Sequence, residues 1–188
     1  MPKAIWKPGT LIYPLPAVMV SCGTFEKPNI ITVSWTGIVN SDPAMTYISV
    51  RPERYSYGLI KATGEFVINL TTEKLARVTD YCGVKSGREI DKFALPALTA
   101  ERASQVSAPM IAECPVSIEC RVKQILALGS HDMFLSKILA VNVDERLLDA
   151  KGALHLDKAG LIARVHGGYF TIGKKLGSFG YSVSKKKR

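Results

Sequence analysis

No Cys-x-x-Cys pair occurs among the four cysteines, which stand apart as Cys22, Cys82, Cys114 and Cys120. Zinc-ribbon and thioredoxin-like motifs are thereby excluded, and no metal ligand is assigned. No apolar run reaches the ~20 residues that a membrane-spanning helix needs. The opening stretch, Met1 to Gly9, carries two prolines and no apolar core of signal length. These absences lead to the expectation of a cytoplasmic protein with reduced thiols and no membrane partner. Cys22 and Cys120 sit in apolar runs and read as ordinary core residues. No Gly-x-Gly-x-x-Gly follows a strand, so no Rossmann domain is expected. No Ser-His-Asp or paired-carboxylate signature is present either. Repeats, linkers and low-complexity blocks are lacking, apart from a basic end.

Acidic residues are scarce: 16 Asp and Glu stand against 25 Lys and Arg, a formal net charge of +9 over 188 residues. Part of that excess is the run Lys185 to Arg188, and a flexible basic tail is expected over about 182–188. The rest suits attraction of an anionic ligand. Charge alone would also fit a nucleic-acid-binding barrel. No aromatic-basic surface motif accompanies it, and no nucleic-acid partner is expected. Apolar residues make up 47% and charged residues 22%, enough for one core and against disorder. A single domain over 1–188 is expected.

Residues 13–24 move from turn punctuation into a strand, and Asn29 to Trp35 forms a second, joined to it as a hairpin. A third strand covers Ala44 to Arg51. Pro52 ends it and opens a helix over about Glu53 to Ala62, with Gly64 at the C-terminal cap. Glu65 to Leu70 reads as a strand buried on both faces. Thr72 to Tyr81 reads as a helix capped by Thr71 or Thr72, followed by a glycine-bounded loop from Gly83 to Gly87 and a short helix over Arg88 to Phe93. Residues 94–114 are irregular. Val116 to Leu128 alternates like a half-buried strand, with Met133 to Val143 as partner across Gly129 to Asp132. The glycine-rich segment Gly160 to Gly180 suits one more strand and an extended arm. Six or seven strands with few helices argue for a mainly β barrel.

Chemistry concentrates between Asn29 and Ser56. Two β-branched runs flank Ser34, Trp35, Thr36, Asn40 and Ser41, and the second ends in Arg51-Pro-Glu-Arg-Tyr-Ser56. Hydroxyls, an aromatic face and guanidinium groups at strand ends suit a planar, phosphorylated ligand. The helix start after Pro52 adds unpaired N–H groups and a positive dipole end. Arg51 and Arg54 are phosphate candidates, with Ser49 and Ser56 beside them, and the family resemblance given below puts Arg51 first. In the next loop Cys82, Gly83, Ser86 and Gly87 offer close backbone approach, and Lys92 a second cation. Cys82 has no neighbouring cysteine or histidine to make it a redox nucleophile.

Four segments, in this order, resemble the flavin reductase-like family with the FMN-binding split-barrel fold, and its flavoredoxin branch most of all. They are Thr32 to Met45, Ser49 to Ser56 leading into Gly64 to Leu70, Asp80 to Phe93, and Gly129 to Ile138, where Ser130 replaces the family's Asp. The resemblance spans roughly residues 10–175. It implies a six-stranded antiparallel barrel of Greek-key type, a homodimer, and one FMN per subunit near the dimer interface. Residues implied at the FMN are Asn29, Thr32, Ser34, Trp35, Thr36, Ser49, Val50, Arg51, Arg54, Tyr55 and Ser56. To these it adds Cys82, Gly83, Ser86, Gly87 and Lys92. His131 would border the nicotinamide side of the flavin. The implied activity is that of an oxidoreductase, an NAD(P)H-dependent flavin or ferric reductase. The alternative is a flavoredoxin-like electron carrier that serves a redox protein and turns over no nicotinamide itself.

Overall fold

A two-residue link decides the shape of this molecule. The computed structural model describes residues 1–183, so the run Lys185 to Arg188, and with it most of the expected basic tail, lies outside the described residues. β1 (Leu15–Pro16) leads into β2 (Val18–Gly23), which pairs with β3 (Pro28–Val33) as a hairpin. β4 (Thr36–Ser41) and β5 (Ala44–Val50) form a second hairpin, followed by α1 (Tyr55–Thr63) and β6 (Glu65–Leu70). A 3-10 turn, Glu73–Leu75, precedes α2 (Ala76–Val84), and the short β7 (Ala100–Glu101) and β8 (Met110–Ile111) pair with each other. The long strands β9 (Val116–Ala127) and β10 (Asp132–Val143) make the third large hairpin. β11 (Ile162–Val165) and β12 (Gly168–Thr171) close the chain's regular structure.

Seven antiparallel strands form one sheet in the order β3-β2-β6-β9-β10-β5-β4. Its two edges, β3 and β4, are neighbours in the chain, separated only by Ser34 and Trp35. Three Cα steps span roughly 11 Å at most, so the sheet must curl until its edges meet. The Ser49 N–H donates to the Trp35 carbonyl at 2.8 Å, which continues the β4–β5 pairing one residue into the link. Among the described residues no ladder joins β3 to β4, so the barrel closes with an open seam. Ser34 and Trp35 sit in it.

Six strands of this barrel coincide with the six expected, and β4 adds a seventh at the edge. Its Ser and Asn content reads as loop in the sequence. Pairing through the backbone needs no apolar side chains, and most of β4 is exposed.

Two cores explain the apolar runs. One fills the barrel, with Val18, Val20, Ile48, Phe66 and Phe134. The other lies outside its wall, where Met19, Ile30, Leu75, Cys82 and Ile111 pack together. β2 feeds both, which is why all six of its residues are buried.

Several expectations are corrected. α1 begins at Tyr55, three residues past Pro52, and ends as expected at Gly64, whose φ of 69° is left-handed and whose N–H bonds the Ile60 carbonyl. No side chain caps the 3-10 turn or α2: the Thr71 hydroxyl donates to the Ala17 carbonyl instead. Gly83 lies inside α2 rather than opening a loop. Residues 88–93 form turns, not a helix, because the Lys92 ammonium is drawn inward to the Ile30 and Cys82 carbonyls, 2.6 Å from each. The first half of β9 is buried on both faces, since residues 100–111 cover its polar side at Ser117 and Glu119. Two strands rather than one follow Gly160, and they join β1 in a three-stranded sheet, β1-β11-β12.

Candidate functional site

Two cavities, about 310 and 330 Å³, open side by side at the seam and share Ile31 and Arg54 in their walls. The first is lined by the end of β3 (Thr32, Val33), the link Ser34-Trp35, the end of β5 (Ser49, Val50) and Arg51. His131, from the β9–β10 turn, faces the same space. The second is lined by Asn29, by Tyr55 and Ser56 at the start of α1, and by Cys82, Gly83, Ser86, Gly87 and Lys92. Residues from Asn29 to Lys92 therefore meet along one continuous hollow.

Local packing explains how. The Thr32 hydroxyl donates to the Thr79 carbonyl, and Gly83 faces the Thr32 side chain, so α2 lies close against β3. A Cβ on Gly87 would overlap the Asn29 amide and stand 2.8 Å from the Tyr55 ring, so only glycine fits there. The Asn29 amide donates to the Ser56 hydroxyl at 2.7 Å, tying β3 to the start of α1. Arg54 takes the N-cap position of α1 with extended backbone, and no side chain caps that end. The Tyr57 N–H donates to the Arg54 carbonyl at 3.0 Å, and among the described residues the Tyr55 and Ser56 N–H groups are left to solvent or a ligand.

Charge is uneven. The second cavity carries Arg54, Lys85, Arg88 and Lys92 against the single carboxylate Glu53. Arg88 donates to the Glu53 carbonyl at 3.2 Å and lies 5.6 Å from the centre of the Tyr55 ring. The first cavity carries Arg51, Arg54 and Arg164 and no carboxylate. In it the Trp35 and His131 rings pack with centroids 4.3 Å apart. Burial holds the His131 imidazole below its ordinary pKa, with Arg51 and Arg54 adding to the effect, so the ring is neutral at neutral pH.

One atom stands out. The Ser34 hydroxyl is buried at the seam and has no hydrogen-bond partner among the described residues. A buried, unpaired hydroxyl costs about 1–3 kcal/mol unless something bonds it.

The profile of the flavin reductase like domain matches residues 10–159. The chain belongs to the flavin reductase-like family. Flavoredoxin of Desulfovibrio vulgaris (Miyazaki F) superposes with a TM-score of 0.89 at 30% identity, over 98% of this chain and 100% of that one. Flavoredoxin from Methanosarcina acetivorans gives the same TM-score at 28% identity, over 98% and 100%. An uncharacterised protein of Archaeoglobus fulgidus is 32% identical over 140 residues, 74% of this chain and 78% of that one.

As a member of this flavin-binding family, the chain offers groups that fit a flavin. The Ser34 hydroxyl, unpaired among the described residues, sits beside the Trp35–His131 pair, an arrangement that suits a ring with a polar edge. The uncapped helix start and four cations, one hollow further on, suit a phosphate.

Some expected residues are placed differently. Thr36 lines neither cavity, because its hydroxyl donates to the Tyr47 carbonyl at 2.6 Å inside the β4–β5 hairpin. Arg51 faces the Trp35 cavity rather than the one at the helix start, and it is half exposed beside Glu53 at 3.5 Å. Two donors of Lys92 are occupied by carbonyls. The Cys82 thiol is buried and its pKa is pushed up to about 11 by desolvation, against the pull of Lys92, so it is no thiolate.

Other residues escaped the sequence reading. Arg88 directly follows Gly87, and its charge within a glycine-bounded turn was the available signal. Tyr13, Leu15, Arg164 and His166 line the first cavity from the far ends of the chain, and no local pattern marks them.

Proposed function

We propose that this chain is an FMN-binding oxidoreductase that uses NAD(P)H to reduce flavin or ferric complexes. The observation that carries the flavin site is the unpaired Ser34 hydroxyl in the wall of a cavity flanked by Trp35. In this reading Ser34, Ser49 and main-chain groups at the seam bond the polar edge of the isoalloxazine, and Trp35 borders its face. Arg54 and Ser56 hold the phosphate at the start of α1, together with Ser86 and Arg88. Asn29, Thr32, Val50, Tyr55, Gly83 and Gly87 shape the hollow between. Lys92 and the Cys82 carbonyl fix its floor.

When bound, FMN supplies the two-electron redox chemistry, and the protein supplies position and electrostatics. Donors preset at the ring's polar edge favour the charge that develops there on reduction. His131, neutral and packed on Trp35, walls the cavity on the side where a nicotinamide would approach. Its Nδ1 stands 3.0 Å from the Ser130 hydroxyl, which orients the ring.

A second reading, a flavoredoxin-like carrier with a protein redox partner, is supported by the two flavoredoxins that superpose along nearly the whole chain. In either case we take the protein as a homodimer, and exposed Ile38, Val39 and Phe170 supply apolar surface for it. Four buried, unpaired cysteines suit the reducing cytoplasm.

Absorption of the purified protein after incubation with FMN tests the site. Stoichiometric yellow protein is expected, and failure to take up FMN would sink the reading. Steady-state oxidation of NADH and NADPH with added FMN or ferric citrate then separates the two functions. A reductase turns over, whereas a carrier stays idle without its partner.

A further inference from the structure

We propose that Tyr13, Arg164 and His166 form a subsite for the anionic group of a planar second substrate. The proposal rests on the flavin reading of the opposite wall. These side chains come from the β1-β11-β12 sheet and the segment leading into it, not from the barrel strands that carry the flavin segments.

Charge is the first argument. With a flavin phosphate at the helix start, its charge is met in the second cavity. Apart from Arg54, which it shares with the phosphate hollow, the first cavity still holds Arg51 and Arg164 without a carboxylate in its wall. An oxidised isoalloxazine is neutral and its reduced anion carries a single charge, which one of these cations is enough to meet. Arg51 leans on Glu53, but Arg164 forms no salt bridge among the described residues. Its Nε donates to the His166 carbonyl at 3.3 Å, which steadies the guanidinium and leaves its terminal nitrogens without a carboxylate.

The backbone is the second argument. His166 has a φ of 51° and is the one non-glycine residue among those described with positive φ. Glycine tolerates that conformation freely, and two glycines follow immediately as Gly167 and Gly168. The turn nevertheless places an imidazole at the strained position, a pattern that points to a role for the side chain. The ring is held against Tyr13, with centroids 4.9 Å apart and planes tilted by 31°. Together they present an aromatic face beside a cation, the combination that holds a planar anion.

Calorimetric titration of benzoate and its neutral isostere benzamide, into FMN-loaded and FMN-free protein, tests this. Wild type should prefer benzoate, and Arg164→Gln should reduce benzoate affinity about ten-fold with no loss for benzamide. Its FMN dissociation constant should change less than about two-fold. Unchanged benzoate affinity in Arg164→Gln overturns the proposal, as does an equal loss of FMN affinity, which would move Arg164 into the flavin site. His166→Gly keeps the turn at no strain, so it should melt no lower than wild type yet bind benzoate several-fold more weakly. Unaltered benzoate binding in that variant removes His166 from the subsite. Competition by NAD⁺ against bound benzoate identifies a dinucleotide as the source of the anion, and lack of competition a small aromatic acid. If wild type takes up no FMN, the flavin reading fails, while titration of the FMN-free protein still judges the subsite.

Discussion

Two buried polar regions of this barrel look alike in composition and differ in one respect. Outside the wall of β6 and β9, every polar group is answered. The Asn69 amide donates to the Met19 carbonyl and the Ser21 hydroxyl, and its oxygen accepts from Ile111 N–H and the Ser117 hydroxyl. The fully buried Glu119 accepts from the Ser104 N–H and hydroxyl, the Gln105 N–H and the Asn142 amide. At the seam, Ser34 is buried with no partner among the described residues. A saturated network is scaffold, because all its capacity is spent inside the protein. An unsaturated group in a cavity wall is held open for something else.

Removing a saturated member should cost the most. Glu119→Ala strands four donors and uncovers residues 103–107, so unfolding in urea should show a loss of about 3–4 kcal/mol. The FMN dissociation constant at a temperature where the variant is folded should stay near the wild-type value. A comparable loss of FMN affinity would erase the distinction between the regions.

Arg54→Ala comes next. It should weaken FMN binding by about 1.5–3 kcal/mol, read by quenching of flavin fluorescence. Arg51→Ala should cost less, because Arg51 lines only the Trp35 cavity. A reversed order would move the phosphate out of the hollow at the start of α1.

Ser34→Ala gives the sharpest contrast. FMN affinity should fall by about 0.5–1.5 kcal/mol, whereas the FMN-free protein should melt at or above the wild-type temperature, because an unpaired buried hydroxyl has been removed. A clear drop in the melting temperature of the free protein would mean that Ser34 belongs to the scaffold.

The smallest effect is on pH. Burial alone would raise the Glu119 carboxyl, but the Ser104 and Gln105 amides and the Asn142 side chain outweigh it and hold its pKa below the usual value. Burial likewise raises Glu65, and its bonds from Ser107 and Arg121 lower it more. For both, the unfolded chain takes up protons first as the pH falls. Their contribution is therefore complete above the ordinary Glu value of about 4.3 and is lost on acidification through the depressed folded values. Urea midpoints of wild type and Glu119→Gln should converge as the pH drops below 4.3, and parallel curves would contradict the assignment.

Legibility followed the range of the interaction. β2, β3, β5, β6, β9 and β10 are readable from β-branched runs and punctuation, since each strand's burial is written in its own residues. The cavity residues between Asn29 and Gly87 are readable because strand ends and a helix start bring them together locally. Glu119 reads as the polar side of a half-exposed strand. Only the cover from residues 100–111 makes it a buried anchor. Thr36 resembles Ser34 in type and position. The β4–β5 pairing alone takes its hydroxyl out of the site.

The amino-acid sequence by itself determined the family, the antiparallel barrel and most of one cavity wall. Local periodicity, turn chemistry and ordered segments between Thr32 and Ile138 carry that information. Tertiary structure decided which buried polar groups are satisfied, and it brought Tyr13, Arg164 and His166 opposite Trp35. Those outcomes depend on contacts between distant parts of the chain, the cover of residues 100–111 on β9 and the β1-β11-β12 sheet beside the first cavity.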